Sequence, residues 1–237
     1  MGKTMQRRLV RKLDLAKALA RVEPFLSPKA HLEQYTITTR AAAELLYLAA
    51  YTYDDIVDKS VIDLGCGTGR LAIGSALLGA KETVGLDIDS VATKKAFFNA
   101  ERLDVKDKIQ WVTADLNAVR GYFDTVLQNP PFGVQKRKAD RIFLKKALEM
   151  GNRVYSLHNS SRENYEFIKK RGRSKPRLLP VSPSPFLRDF IPKHGGEIKG
   201  VYTLLMEIPR MFKFHRKRRY KYPVDLYIIE RLHDTRP

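Results

Sequence analysis

Val61-Ile-Asp-Leu-Gly-Cys-Gly-Thr-Gly69 decides the fold of this 237-residue chain. Residues 61–64 read as a buried strand, and a helical pattern over 70–78 starts directly after the glycines. Glycines in such a turn let the backbone bend tightly and approach a ligand without side-chain obstruction. A strand, a glycine loop and a helix in that order make the first unit of a doubly wound α/β sheet, which binds its ligand beyond the strand's carboxyl end. The spacing is G-x-G-x-G, with Arg70 where a dinucleotide fingerprint has its last glycine.

Working outward, short apolar runs alternate with helical patterns. Strands are predicted over 83–86, 109–113, 125–128 and 153–157, and helices over 91–102, 140–150 and 161–171. Helices over 5–22 and 39–50 precede them. Five prolines and Gly195-Gly196 interrupt residues 172–198, which read as a long loop or insertion with a strand near 177–181. Strands over 201–208 and 224–229 close the chain. The expectation is a Rossmann-like α/β fold, with a seven-stranded, mainly parallel sheet and helices on both faces. Residues 1–237 are read as a single domain: a helical lead over 1–50, a core over 51–170, and a basic C-terminal part over 171–237.

The strand ends carry chemistry. Asp87 ends the second strand, 22 residues after Gly65, where a carboxylate can accept from both hydroxyls of a ribose. Asp115 ends the third, placed to accept from the exocyclic amine of an adenine, and Ile88 and Leu116 could sandwich that ring. The fourth strand stops at Asn129-Pro130-Pro131-Phe132, because proline donates nothing to a ladder and restricts its neighbour. The ordered series of glycine loop, Asp, Asp and NPPF resembles the class I S-adenosylmethionine-dependent methyltransferases. Asp63, Gly65, Cys66, Gly67, Thr68 and Gly69 are then expected in the cofactor loop, with Cys66 as a small packing residue rather than a nucleophile.

NPPF is suited to a flat molecule bearing an amine. The Asn129 side-chain oxygen and the Pro130 carbonyl can hold the two amine hydrogens, and Phe132 can stack on a base. Two acceptors on those hydrogens favour a pyramidal nitrogen and free its lone pair. The motif leaves adenine N6, guanine N2 and the amide of a protein glutamine open as acceptors.

Charge narrows the partner. Residues 1–130 hold 18 Lys/Arg against 16 Asp/Glu, whereas residues 131–237 hold 26 against 10. The excess of +16 after NPPF favours a polyanion such as RNA. Lys136, Arg137, Lys138 and Arg141 follow NPPF directly and could hold phosphates flanking an extruded base. Arg216, Lys217, Arg218 and Arg219 lie among Phe212, Phe214, Tyr220 and Tyr222, a mixture suited to phosphate contact and base stacking. The histidines show no metal-ligand spacing, and one cysteine excludes an internal disulfide. No apolar run approaches a membrane span, so a cytoplasmic, non-membrane protein is expected.

Several strings are more specific. Glu33-Gln-Tyr35, Asp54-Asp-Ile56, Asp87-Ile-Asp89, Asn129-Pro-Pro-Phe-Gly133, Val154-Tyr-Ser-Leu-His158 and Lys213-Phe-His215 occur in order. Together they resemble the methyltransferase-like protein five family, small-subunit ribosomal RNA adenine-N6 methyltransferases. The resemblance implies an S-adenosylmethionine cofactor, a ribosomal RNA substrate and a small zinc-binding activator protein as partner. By the family pattern Gln34 lines the cofactor pocket, while His158, Lys213 and His215 lie on the RNA-facing side. Val134 and Ile37 depart from the family's threonines.

Overall fold

The computed structural model describes residues 10–25, 28–133, 138–170, 178–209 and 219–232. Helices α1 (Lys12–Leu19) and α2 (Thr39–Tyr51) precede the alternating core. That core runs β1 (Ser60–Leu64), α3 (Arg70–Leu78), β2 (Glu82–Asp87), α4 (Ser90–Arg102), β3 (Ile109–Thr113), β4 (Phe123–Gln128), α5 (Ala139–Met150) and β5 (Gly151–Asn159). There follow α6 (Arg162–Lys170), β6 (Leu179–Pro180), α7 (Pro185–Lys193), β7 (Gly196–Pro209) and β8 (Arg219–Arg231).

One sheet joins all the strands, in the order β3-β2-β1-β4-β5-β8-β7-β6. β1 to β5 pair in parallel, and β8, β7 and β6 add antiparallel strands. The sheet therefore has eight strands rather than the seven expected. The eighth is β6, the strand expected near 177–181 within the insertion, which joins the sheet by pairing Leu179 and Pro180 with Thr203 and Tyr202 of β7. It occupies the sheet edge, where a proline costs no ladder bond. β7 and β8 are also longer than expected, paired from Gly196↔Arg231 to Pro209↔Arg219.

The segment read as a loop holds a helix as well. Ser184 caps α7, its Oγ accepting from the Leu187 amide at 3.3 Å, and Pro185 takes the first helical position, where no amide is missed. Leu187 and Ile191 turn inward against the sheet.

Two apolar layers cover the sheet. On one face, α1, α2 and α3 pack Leu15, Leu19, Leu46 and Ile73 against Leu127, Tyr155 and Ile228. On the other, Leu144, Leu148, Leu187 and Ile191 pack against Ile62, Val126 and Tyr227. The chain runs β1→β2→β3 to one side and then returns to place β4 beside β1. That reversal opens a crevice at the carboxyl ends of β1 and β4, where the glycine loop and Asn129 both lie.

Trp111 of β3 fits into space left by two glycines. A Cβ on Gly85 would stand 2.3 Å from Trp111 Cζ3, and one on Gly69 would stand 2.7 Å from Trp111 Cη2. Gly85→Ala should therefore destabilise the fold by about 1–3 kcal/mol, the usual cost of overpacking. Denaturant unfolding followed by the fluorescence of this single tryptophan measures it; an unchanged midpoint would show that the ring can shift freely.

Candidate active site

A cavity of about 250 Å³ opens at the carboxyl ends of the parallel strands. Its floor is the loop after β1, with Asp63, Gly65, Cys66, Gly67 and Thr68 in the wall. Asp87, Ile88, Asp115, Leu116 and Asn117 form one side, and Asn129, Pro131, Ile142 and Phe143 the other. Residues 31–37 and Phe25 roof it.

Asp87 is braced toward the loop. One carboxylate oxygen accepts from the Gly67 amide at 2.8 Å and the other from the Asp89 amide at 2.9 Å. Burial raises its pKa above the usual carboxylate range. Asp63, beneath the loop, accepts from the Ala72 amide at 3.1 Å, and burial pushes its pKa up to about 7. Burial also pushes the Cys66 thiol up, which fits a packing residue and not a nucleophile. Asp115 is exposed and accepts from the Asn117 amide at 2.8 Å. Ile88 is 57% exposed, so its side chain offers the cavity mouth an uncovered apolar face.

Gly69, expected to contact the cofactor, is absent from the cavity wall. Its φ of +85° starts α3, and its missing side chain makes room for Trp111 and Ala96. The position needs glycine for backbone conformation and packing.

The roof is held by a residue whose role spacing alone did not disclose. Arg70 is buried, and its guanidinium donates to the carbonyls of Ile37 and, at 2.8 Å, Val22. Burial lowers its pKa to about 10, which leaves it charged at neutral pH. The one available signal was a long cation in place of a fingerprint glycine. Gln34 lines the cavity as expected. Its Nε2 donates to Asp89 at 2.8 Å and its Oε1 accepts from the Lys29 amide at 2.8 Å. Lys29 Nζ reaches the other Asp89 oxygen at 3.0 Å. Burial alone would raise the Asp89 pKa, but Lys29 and Gln34 hold it below the usual range.

Asn129 joins the roof to the acceptor side. Its Nδ2 donates to the Tyr35 carbonyl at 3.1 Å. A carbonyl partner requires the NH₂ group on that side, so Oδ1 takes the opposite direction. Asn129 Oδ1 is buried and has no hydrogen-bond partner among the described residues. Pro131 lines the cavity, whereas Pro130 is buried and Phe132 packs on the main apolar layer, outside the wall.

His158, which the family pattern puts on the RNA-facing side but which at a strand end is as readily structural, is buried. It is 3% exposed, its Nε2 lies 2.7 Å from Ser156 Oγ, and Gln128 Nε2 donates to the same hydroxyl at 2.8 Å. Asp140 lies 3.9 Å from Nδ1, but burial pushes the imidazole pKa down to about 4, so the contact is no ion pair at neutral pH. Lys138 is exposed just before α5. Lys136, Arg137, Lys213, His215, Arg216, Lys217 and Arg218 lie outside the described residues, and Arg219 begins β8. Among the described residues no cluster could hold a metal ion, and no helix is long and apolar enough to cross a membrane.

A doubly wound sheet with this glycine loop and two strand-end aspartates defines a class I methyltransferase, the group that uses S-adenosyl-L-methionine. Residues 38–130 match the family model of the ribosomal protein L11 methyltransferase. The crystal structure of a candidate RNA methyltransferase from Pyrococcus horikoshii is 37% identical, with a TM-score of 0.78, and covers 95% of this chain and 100% of that one. An uncharacterized protein of Methanocaldococcus jannaschii is 36% identical over 94% of this chain and 96% of its own length. The rRNA N(6)-adenosine-methyltransferase METTL5 of Danio rerio is 34% identical over 90% of this chain and 95% of its own length. The chain belongs to the METTL5-like family of RNA methyltransferases.

The raised pKa of Asp63 sets a direction for stability. A carboxyl that binds its proton more tightly when folded contributes stability that is complete below about pH 4 and is lost as pH rises through about 7. The ligand-free protein should therefore melt at progressively lower temperature between pH 5 and 8. Asp63→Asn should flatten that slope, and a calorimetric pH series with identical slopes for both proteins would contradict the assignment.

Proposed function

We propose that this protein transfers a methyl group to the N6 amine of an adenine in small-subunit ribosomal RNA. The observation that carries the reading is Asn129, which lines the cavity and whose buried Oδ1 has no partner among the described residues while Tyr35 holds the amide nitrogen. A buried acceptor left unsatisfied costs about 1–3 kcal/mol, and a bound N–H removes that cost. The METTL5 relatives carry adenosine N6 in their names, and an adenine amine has the hydrogens this oxygen lacks.

The cavity fits the cofactor by its donor set. The Asp87 oxygens take backbone amides, Gly67 on one and Asp89 on the other, and keep lone pairs for ribose hydroxyls. Asp115 stands at the edge for an adenine amine, and Ile88 and Leu116 supply apolar faces. Gly65, Cys66, Gly67 and Thr68 let the ligand approach the backbone. Bound there, S-adenosylmethionine supplies an electrophilic methyl carbon.

The chain's own groups do the rest. Asn129 Oδ1 and the Pro130 carbonyl accept the two amine hydrogens, bend the nitrogen toward a tetrahedral form and expose its lone pair. Pro131 and the roof exclude water, so positioning and electrostatics carry the rate. Once methylated, the nitrogen would be cationic and strongly acidic and would lose its proton to bulk water on release, which removes the need for a strong base in the site. Phe132 packs on the core, so any stacking on the base requires a local change in the loop.

The family-model match ends at Pro130 and so bears on the cofactor half, not on the acceptor. RNA is favoured by the +16 excess after residue 130, with Lys136, Arg137, Lys138, Lys213, His215 and Arg216–Arg219 as its contacts. A zinc-binding activator protein is the proposed partner. Among the described residues β3 ends the sheet with an unpaired edge, and Phe97 and Phe98 on neighbouring α4 are 40% and 48% exposed. A single domain in the cytoplasm, acting on ribosomal subunits, completes the reading.

Asn129→Ala should lower transfer about 10²–10³-fold, the loss typical of one acceptor or donor at a reacting centre. Cofactor affinity should fall less than about tenfold, the value of one hydrogen bond, because Arg70 still holds the roof. Transfer from labelled cofactor to ribosomal RNA, followed by nucleoside analysis, tests both. N2-methylguanosine in place of N6-methyladenosine would overturn the substrate assignment.

A further inference from the structure

α7 carries flat side chains along one face. Phe186, Phe190 and His194 stand four residues apart, with ring centroids 5.3 Å apart for the first pair and 4.0 Å for the stacked second pair. The His194 ring is fixed at the far end, its Nδ1 2.8 Å from the Phe190 carbonyl. At the near end the Arg141 guanidinium lies over the Phe186 ring, 4.1 Å from its centroid.

The near end is the active-site end. Arg141 is the third residue of α5, the helix that follows the acceptor loop. α7 runs alongside α5 in the same sense: Phe186 meets Arg141, and the Gly196 position lies against both Ile191 and Leu148 farther on. Ile142, next to Arg141, lines the mouth of the cavity.

Among the described residues no carboxylate lies within ion-pair distance of Arg141; its charge acts on adjacent Asp140 through space, and Lys138 and Lys145 are exposed nearby along α5. Adjacent Asp140 is half-buried and lies toward His158. On α7, Arg188 and Asp189 are both exposed and offset each other. Stacking uses the face of a guanidinium and leaves its five N–H donors at the edge. The ring thus fixes the long side chain before a ligand arrives, and the conformational cost of binding falls.

We propose that Arg141, held flat by Phe186, grips an RNA phosphate beside the base presented to Asn129. Arg141 touches the RNA, and Phe186 is a positioning residue that acts through it. This inference rests on the RNA reading above. Phosphate is the favoured anion because the surrounding half of the chain carries the +16 excess and the cavity beside it is the proposed adenine site. The sequence offered Arg141 only as one of several cations. The helix that supplies Phe186 was hidden among prolines.

A double-mutant cycle tests it, using the full chain and an RNA hairpin with an unpaired adenosine. Arg141→Ala should lower RNA affinity at low salt about tenfold and reduce the slope of log affinity against log salt by about one. Phe186→Ala should lower affinity about two- to tenfold, the cost of ordering one long side chain, and should add nothing in the Arg141→Ala background. Phe186→Tyr should restore affinity; Arg141→Lys should restore the slope but not the full affinity. Equal losses from Phe186→Ala in both backgrounds, or an unchanged slope in Arg141→Ala, overturn the proposal. Failure of the functional reading shows separately, as wild-type protein that transfers no methyl group to RNA. The binding cycle does not depend on transfer.

Discussion

The buried guanidinium of Arg70 is the tie on which the site depends. It reaches up from the start of α3 to the carbonyls of Val22 and Ile37, which lie on either side of the roof. It acts with the Asn99 and Lys95 contacts of Glu23, the Asp89 contacts of Lys29 and Gln34, and the Asn129 amide at Tyr35, all of which fix described parts of the same segment. A buried cation is expensive unless its hydrogen bonds are made, and these two carbonyls meet part of that demand. The floor, roof and acceptor side are therefore one connected structure, not three separate loops.

The parallel core was legible because its signals are local. Residues 61–64, 109–113 and 125–128 show apolar runs of strand length, and the glycine loop and Asn-Pro-Pro punctuate them. Strand ends converge in any doubly wound sheet, so Asp87, Asp115 and Asn129 could be placed around one crevice from order alone. Gln34 was legible only through resemblance, since nothing in its spacing ties it to Asp89.

What was missed depended on tertiary context or on misread punctuation. Five prolines over 172–198 suggested a loop, yet Ser184-Pro185 is also a sound helix start, and the burial of Leu187 and Ile191 settles the matter. Gly69 fell in the motif but serves Trp111, a residue 42 positions away. His158 ends a readable strand, yet the partners that keep it inside, Ser156 and Gln128, become neighbours only through the pairing of β4 with β5. Arg70 looked like a departure from a fingerprint because its acceptors lie 33 and 48 residues upstream.

Asn129 has one amide with two unlike ends. Its nitrogen fastens the roof at Tyr35, and its oxygen is buried without a partner among the described residues. A carboxamide is planar, so whatever fixes its nitrogen also fixes the direction of its oxygen. The Tyr35 carbonyl, a backbone group of the roof, therefore sets the orientation of an atom on the far side of the amide that it never touches.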